Sequence, residues 1–232
     1  MVDNDALADD DEFPNGSFSH GTHVGSTISM LNDGIDGNGM AARVTPIRVC
    51  GGSGCPGSAT YGAYLYLNGD TNDSLTTFAQ RSAGQKLHSV NMSYGGSGGS
   101  ATSSACVKLG ELAEKGVLIA SSSGNSGIGS VGWPSSCPRV YSVGATNGTD
   151  RRSSYSSTTE YVAFSAPGGE YSDWNADGID DLVYAYARDD SYVQSSNNGN
   201  PLIGAQGTSM ASPHGAGFLG LIKYYYEDIV KP

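Results

Sequence analysis

Basic side chains are scarce in this sequence. Twelve Lys and Arg stand against 23 Asp and Glu, a formal net charge of −11. A chain so poor in cations lacks the phosphate-neutralising face that a general nucleic-acid binder needs. Long apolar runs are missing too: none approaches the roughly 18 residues of a membrane-spanning helix. No basic leader opens the chain. Met1 runs into Asp3, Asp5, Asp9, Asp10, Asp11 and Glu12, the reverse of a signal peptide's n-region. That leaves a cytosolic protein, or one whose upstream segments lie outside this sequence. The four cysteines, Cys50, Cys55, Cys106 and Cys137, show no C-x-x-C spacing, which weakens zinc and thioredoxin-like readings. Structural disulfides in an exported protein are the expected use, against four free buried thiols. Four cysteines allow three pairings.

Glycine is plentiful, 34 of 232 residues, about twice the roughly 7% usual share. It follows no collagen period, so it implies tight turns and close backbone approaches. The length suits one large domain or two small ones. With no internal repeat and no linker, residues 1–232 read as one domain, with 1–19 an acidic, turn-rich surface segment. The pattern predicts helices at 20–31 (Ser19 as N-cap), 59–67, 75–86, 105–115 (ended by Gly116) and 209–226. Short strands are expected at 44–49, despite Pro46, and at 89–93, 117–120, 140–145 and 161–166. Strands alternating with helices argue for an α/β fold with a largely parallel sheet.

Two segments carry the chemistry: His20-Gly21-Thr22-His23-Val24-Gly25 and Gly207-Thr208-Ser209-Met210-Ala211-Ser212-Pro213-His214. Each puts a reactive side chain at a predicted helix start among small residues. A serine needs a neighbouring base to act as a nucleophile at neutral pH. Helix N-terminal N–H groups stabilise developing negative charge. Taken singly, the bland readings are a structural histidine and a serine cap.

Together, and in this order, the two segments resemble the His and Ser motifs of the subtilases, the subtilisin-like serine peptidases. Asn91-Met92-Ser93-Tyr94-Gly95-Gly96 looks like that family's substrate-binding strand and loop. Ser123-Gly124-Asn125-Ser126-Gly127 looks like the turn with the oxyanion-hole Asn; the bland reading is a turn Asn. Val131-Gly132-Trp133-Pro134 and Ala166-Pro167-Gly168 extend the likeness from residue 13 to about residue 222. The resemblance implies a three-layer α/β fold, a largely parallel sheet with helices on both faces, expected to be incomplete at both ends. It implies a serine endopeptidase with His20 as general base, Ser209 as nucleophile and Asn125 as oxyanion donor. His23 and His214 belong to the motifs but look structural. Ser93, Tyr94, Gly95, Ser122, Ser123, Gly124 and Gly132 would bind substrate. Their pocket carries no charge, so large apolar or aromatic residues are expected before the cut. Polypeptide substrates, an N-terminal propeptide outside this chain, secretion and a monomeric state follow from the same likeness; no nucleic-acid partner and no membrane span are expected.

The family pairs its His with an Asp, followed by Ser/Thr and Gly, well upstream. No such triplet precedes His20, and Asp3 is a poor substitute because so few residues separate it from His20. The expectation is that the triad Asp lies outside this chain and that residues 1–232 alone are weak or inactive. A non-catalytic, peptide-binding subtilase homologue and a calcium-stabilised structural module are the other readings.

Asp173-Trp174-Asn175-Ala176-Asp177-Gly178-Ile179-Asp180-Asp181 follows D-x-N-x-D-G-x-x-D. Side chains of Asp173, Asn175, Asp177 and Asp181 with the Ile179 carbonyl form an oxygen set suited to structural calcium. Tyr184 occupies the position where an EF-hand places Glu; the bland reading is a solvated acidic loop. Asn32-Asp33-Gly34-Ile35-Asp36 matches a second family calcium loop only loosely. The family likeness also suggests a Cys106–Cys137 disulfide, leaving Cys50–Cys55 to close a small loop, with other pairings open.

Overall fold

The structure, a computed structural model, describes residues 19–32, 38–40, 42–51, 54–70, 86–96, 100, 102–129, 131–187 and 202–226. In chain order these hold helix α1 (His20–Ser29), helix α2 (Gly57–Asn68), strand β1 (Ser89–Met92), helix α3 (Ser104–Glu114) and strand β2 (Leu118–Ser122). Strands β3 (Val140–Thr146), β4 (Val162–Pro167), β5 (Val183–Tyr186) and β6 (Leu202–Ala205) and helix α4 (Thr208–Tyr225) follow.

Strands β1 to β4 form one sheet in sequence order, and every pairing is parallel. Parallel strands bury both faces, and the alternation along β2 shows how. Ile119 packs with Tyr64, Leu109 and Leu112, the α2–α3 side. Its neighbour Ala120 packs with Ala211, Ala216 and Leu219 of α4 on the other. The result is the three-layer arrangement expected from sequence.

Local chemistry sets the helix limits. The Ser103 side chain accepts from Cys106 N at 3.3 Å, capping α3, and Gly116 follows its end at φ +85°. Cys106, Leu109 and Leu112 are its buried stripe. Helix α4 lies close on the sheet because its facing residues are small. A Cβ on Gly215 would stand 2.9 Å from the Phe164 ring and 3.0 Å from Val143. Ser89 Oγ donates to the Ala216 carbonyl at 2.8 Å, tying β1 to α4.

Several sequence expectations are corrected. Residues 44–49 form no strand; Pro46 has no N–H to give a ladder, and these residues join none of the described sheets. Ser19 makes no side-chain cap on α1. Nor is it surface: it is fully buried, and its carbonyl accepts from His23 N at 3.0 Å. The two-stranded antiparallel ribbon β5–β6 was not anticipated, although Val183-Tyr184-Ala185-Tyr186 reads as a strand. Expectations for 1–18, 33–37 and 71–85 lie outside the described residues.

Both disulfides, Cys50–Cys55 and Cys106–Cys137, are formed. They span 5 and 31 residues of sequence, so chain entropy makes the second the larger stabiliser, about 3–4 against about 2 kcal/mol. Cys106→Ala with Cys137→Ala is therefore expected to lower unfolding stability by more than Cys50→Ala with Cys55→Ala. Urea midpoints of the two double variants check the order; equal losses would contradict it.

Candidate active site

Ser209 is the second residue of α4, and His20 is the first residue of α1. The two helices pack together, with Val24 against Met210. Both motifs thus head packed helices, and Ser209 lies at the carboxyl end of the parallel strands, where open α/β sheets place their ligands. Gly207 turns the chain into α4 at φ +149°, a conformation that L side chains rarely adopt.

Strand β1 leads directly to Ser209. Ser209 Oγ donates to the Ser93 carbonyl at 3.3 Å, and Ser93 Oγ donates to the Ser209 carbonyl at 2.7 Å. Asn91 Nδ2 donates to Ser93 Oγ at 3.0 Å, and Ser212 Oγ to Asn91 Oδ1 at 2.6 Å. Strand β2 leads to the Asn125 turn. Asn125 Oδ1 accepts from Thr208 N at 2.9 Å and Thr208 Oγ1 at 2.8 Å. Both lone-pair directions of that oxygen are used, so the amide orientation is decided and Nδ2 is the outward donor. Thr208 lies in the serine motif without a role that the sequence alone assigns; its place beside the serine is the available signal.

The residues expected to bind substrate divide by side-chain direction. Ser122 and Ser123 are buried, and Ser123 Oγ donates to the Ser157 carbonyl at 3.0 Å. The Tyr94 hydroxyl meets that of Tyr64 at 2.9 Å, inside the α2–α3 core. Burial raises both phenols, Tyr64 to about 12 and Tyr94 well above its usual value. Gly96 and Trp133 exchange two backbone hydrogen bonds of 2.9 Å, which sets Gly95 against the Trp133 carbonyl and Gly132 against the Gly96 carbonyl. Gly124 N donates to Thr208 Oγ1 at 3.2 Å.

His23 and His214 are held by backbone. The His23 Nε2–H reaches the Val183 and Ile203 carbonyls at 3.2 and 3.0 Å, fastening α1 to the β5–β6 ribbon. The His214 Nδ1–H donates to the Met210 carbonyl at 2.8 Å. Burial lowers both imidazoles, and His214 adds a smaller repulsion at His23. Asp3 lies outside the described residues.

In the acidic loop the oxygens serve the loop's own amides. Asp173 accepts from Asp177 N and Gly178 N at 3.0 and 2.8 Å, and Asn175 Oδ1 from Asp177 N at 3.0 Å. Asp177 accepts from Ile179 N at 2.9 Å, and Asp181 from Trp174 N at 2.7 Å. Among the described residues no three His, Cys, Asp or Glu side chains are gathered as a metal site. No described helix is long and apolar enough to cross a membrane.

A parallel α/β sheet with helices on both faces, and a serine at a helix start beside its carboxyl edge, is an architecture of serine hydrolases. Residues 2–231 match the subtilase family, peptidase S8, and the chain belongs to that family. It is similar to alkaline elastase YaB of Bacillus sp. (strain YaB), 33% identical over 88% of this chain and 44% of the relative. It is similar to subtilisin Savinase of Lederbergia lenta, 31% identical over 88% of this chain and 62% of the relative. Among solved structures, a protease from Pseudoalteromonas arctica PAMC 21717 superposes with TM-score 0.75 at 28% identity, over 91% of this chain and 60% of that one. The chain thus spans about half the length of the curated relatives it matches.

The two lowered imidazoles make stability depend on pH. A histidine whose folded pKa is depressed takes up its proton more readily when unfolded. Its contribution is intact above the unfolded value of about 6.5 and is lost as pH falls toward the folded value. The thermal midpoint is therefore expected to drop between about pH 7 and pH 5. His214→Asn, which keeps an N–H donor for Met210, reduces that drop. Calorimetric scans at the two pH values check this, and equal pH dependence in parent and variant would contradict it.

Proposed function

We propose that this chain is the catalytic portion of a serine endopeptidase, with Ser209 as nucleophile, His20 as general base and Asn125 as oxyanion donor. The reading rests on one observation above others: Thr208 occupies Asn125 Oδ1 with two donors, leaving Nδ2 to donate beside the residue that carries the nucleophile. His20 takes the Ser209 Oγ proton as Oγ attacks the scissile carbonyl carbon. The oxyanion receives hydrogen bonds from Asn125 Nδ2 and the Ser209 N–H. The proton passes to the leaving amine, and water then repeats the sequence on the acyl-enzyme. Substrate main chain pairs with the 93–95 edge, as an added strand, and apolar side chains before the cut are preferred. Secretion fits the two disulfides.

The triad Asp orients and stabilises the protonated His; in subtilisin its loss alone lowers kcat about 3 × 10⁴-fold. No Asp-Ser-Gly or Asp-Thr-Gly stands before His20 in residues 1–232. We therefore expect slow turnover from these residues on their own.

In the protein with its triad Asp present, a fluorescent peptidyl phosphonate is expected to label Ser209 and to leave Ser209→Ala unlabelled. Removing the oxyanion Asn of subtilisin costs about 10²–10³ in kcat, and Asn125→Leu should show a loss of that order with KM little changed. Labelling that persists in Ser209→Ala, or an effect of Asn125→Leu confined to KM, would refute the assignment.

Calcium is proposed as a structural ion of the 173–181 loop. The donor chemistry fits: three carboxylates and one amide oxygen in a glycine-containing turn. Binding would replace the bonds these oxygens now make to the loop's amides. Calcium should then raise the thermal midpoint, and Asp173→Ala with Asp177→Ala should abolish the part due to this loop. A full calcium response in that double variant would mean the loop is only a solvated surface.

A further inference from the structure

Glu170 stands outside the catalytic constellation, at the start of the loop after β4. Asn147 and Ser154, both in the connection between β3 and β4, converge on its carboxylate. Ser154 N donates to its Oε1 at 3.0 Å, and Ser154 Oγ donates to the same oxygen. Asn147 Nδ2 donates to Oε2 at 3.0 Å. The Ser154 hydroxyl, followed by the Asn147 amide and Ser154 N–H, holds the Glu170 carboxyl below its usual range.

Ser154 belongs to residues 153–158, the base of the Asn125 turn, and Asn147 lies upstream of them. Ser157 N donates to the Gly124 carbonyl at 2.8 Å, Ser126 N to Ser157 Oγ at 3.1 Å, and Gly127 N to the Tyr155 carbonyl at 2.9 Å. The same loop reaches the approach to α4. The Tyr155 hydroxyl lies 2.9 Å from the Gly168 carbonyl, which also accepts from Gly207 N at 2.9 Å. Residues 153–158 therefore touch the Asn125 turn directly and the start of α4 through Gly168, which accepts from both Tyr155 and Gly207.

We propose that Glu170 is a positioning residue: its carboxylate clamps the 153–158 loop and thereby sets the spacing of the two oxyanion donors. This rests on the peptidase reading above. A carboxylate is the group the geometry demands, because both its oxygens face donors. Asn147 cannot turn its amide to accommodate another donor. Its Oδ1 already accepts from Thr149 N at 3.1 Å, Thr149 Oγ1 at 2.9 Å and Arg151 N at 3.2 Å. Glu170→Gln thus sets one amide N–H against another. Adding Asn147→Asp restores a donor–acceptor pair while keeping the Oδ1 bonds.

The test uses a peptide p-nitroanilide with an apolar residue before the cut, at a temperature where circular dichroism shows each variant folded. Glu170→Gln is expected to lower kcat about tenfold, since small misplacements of reacting groups are costly, with KM within about twofold. Adding Asn147→Asp should recover most of the loss. A purely stabilising clamp would lower the thermal midpoint and leave kcat alone. If Glu170→Gln does not fold, Ser154→Ala, at an exposed position, is expected to give a smaller fall in kcat alone. An unchanged kcat in a folded single variant, or no recovery in a folded double variant, overturns the proposal. Parent protein that labels with phosphonate while Glu170→Gln keeps its kcat defeats the clamp alone. Parent protein that carries the triad Asp and does not label defeats the peptidase reading with it.

Discussion

The close seat of α4 on the parallel sheet is the constraint on which the rest depends. Ala211, Gly215 and Ala216 present almost no side chain to β2, β3 and β4. The helix axis can therefore approach until Ser89 reaches the Ala216 carbonyl and Ser93 exchanges hydrogen bonds with Ser209. A larger residue on that face would lift the helix and with it the serine. Dense packing of this kind is felt at the level of a single methylene. It is why the helix start, rather than a loop, can carry a residue whose position matters.

Around that seat the polar chemistry is almost wholly neutral. Serine, threonine and asparagine side chains link strand ends to the α4 start: Ser212 to Asn91, Asn91 to Ser93, Ser93 to Ser209, Thr208 to Asn125. Neutral hydrogen bonds satisfy buried backbone without the desolvation penalty that charges would bring. The charged groups lie outward. Glu170 grips the loop beneath the Asn125 turn from outside, and the acidic 173–181 loop keeps its carboxylates on the exposed side. Among the described residues no Asp, Glu, Lys or Arg side chain is buried in this core.

The chain shares its family with alkaline proteases and subtilisins while spanning about half their length. Its described residues hold a sheet-and-helix frame that carries the His and Ser motifs and the Asn125 turn. Outside that frame the described structure adds one element that periodicity left unread, the β5–β6 ribbon. His23 fastens it to α1 through two carbonyls from different strands. That histidine sits in a motif with a reactive neighbour, yet its contacts are those of a structural tie.

Much was legible in the residues themselves. Helices α1 to α4 and strands β1 to β4 follow from apolar spacing and from stop signals such as Gly116, because these are local preferences reinforced by burial. The family and its two motifs were legible for a different reason: their glycines and small residues are required by backbone approach, so the pattern is written in residue type. Residues 44–49 were misread because their β-like composition says nothing of whether a partner strand lies alongside. The ribbon was missed because each strand has only four residues, and Gly204 in β6 weakens the strand signal. Tertiary structure alone decided that Tyr94 turns into the core, that Thr208 fixes the Asn125 amide, and that Glu170 holds the loop beneath it. Each of those depends on groups separated by tens of residues, and no local preference encodes the distance between them.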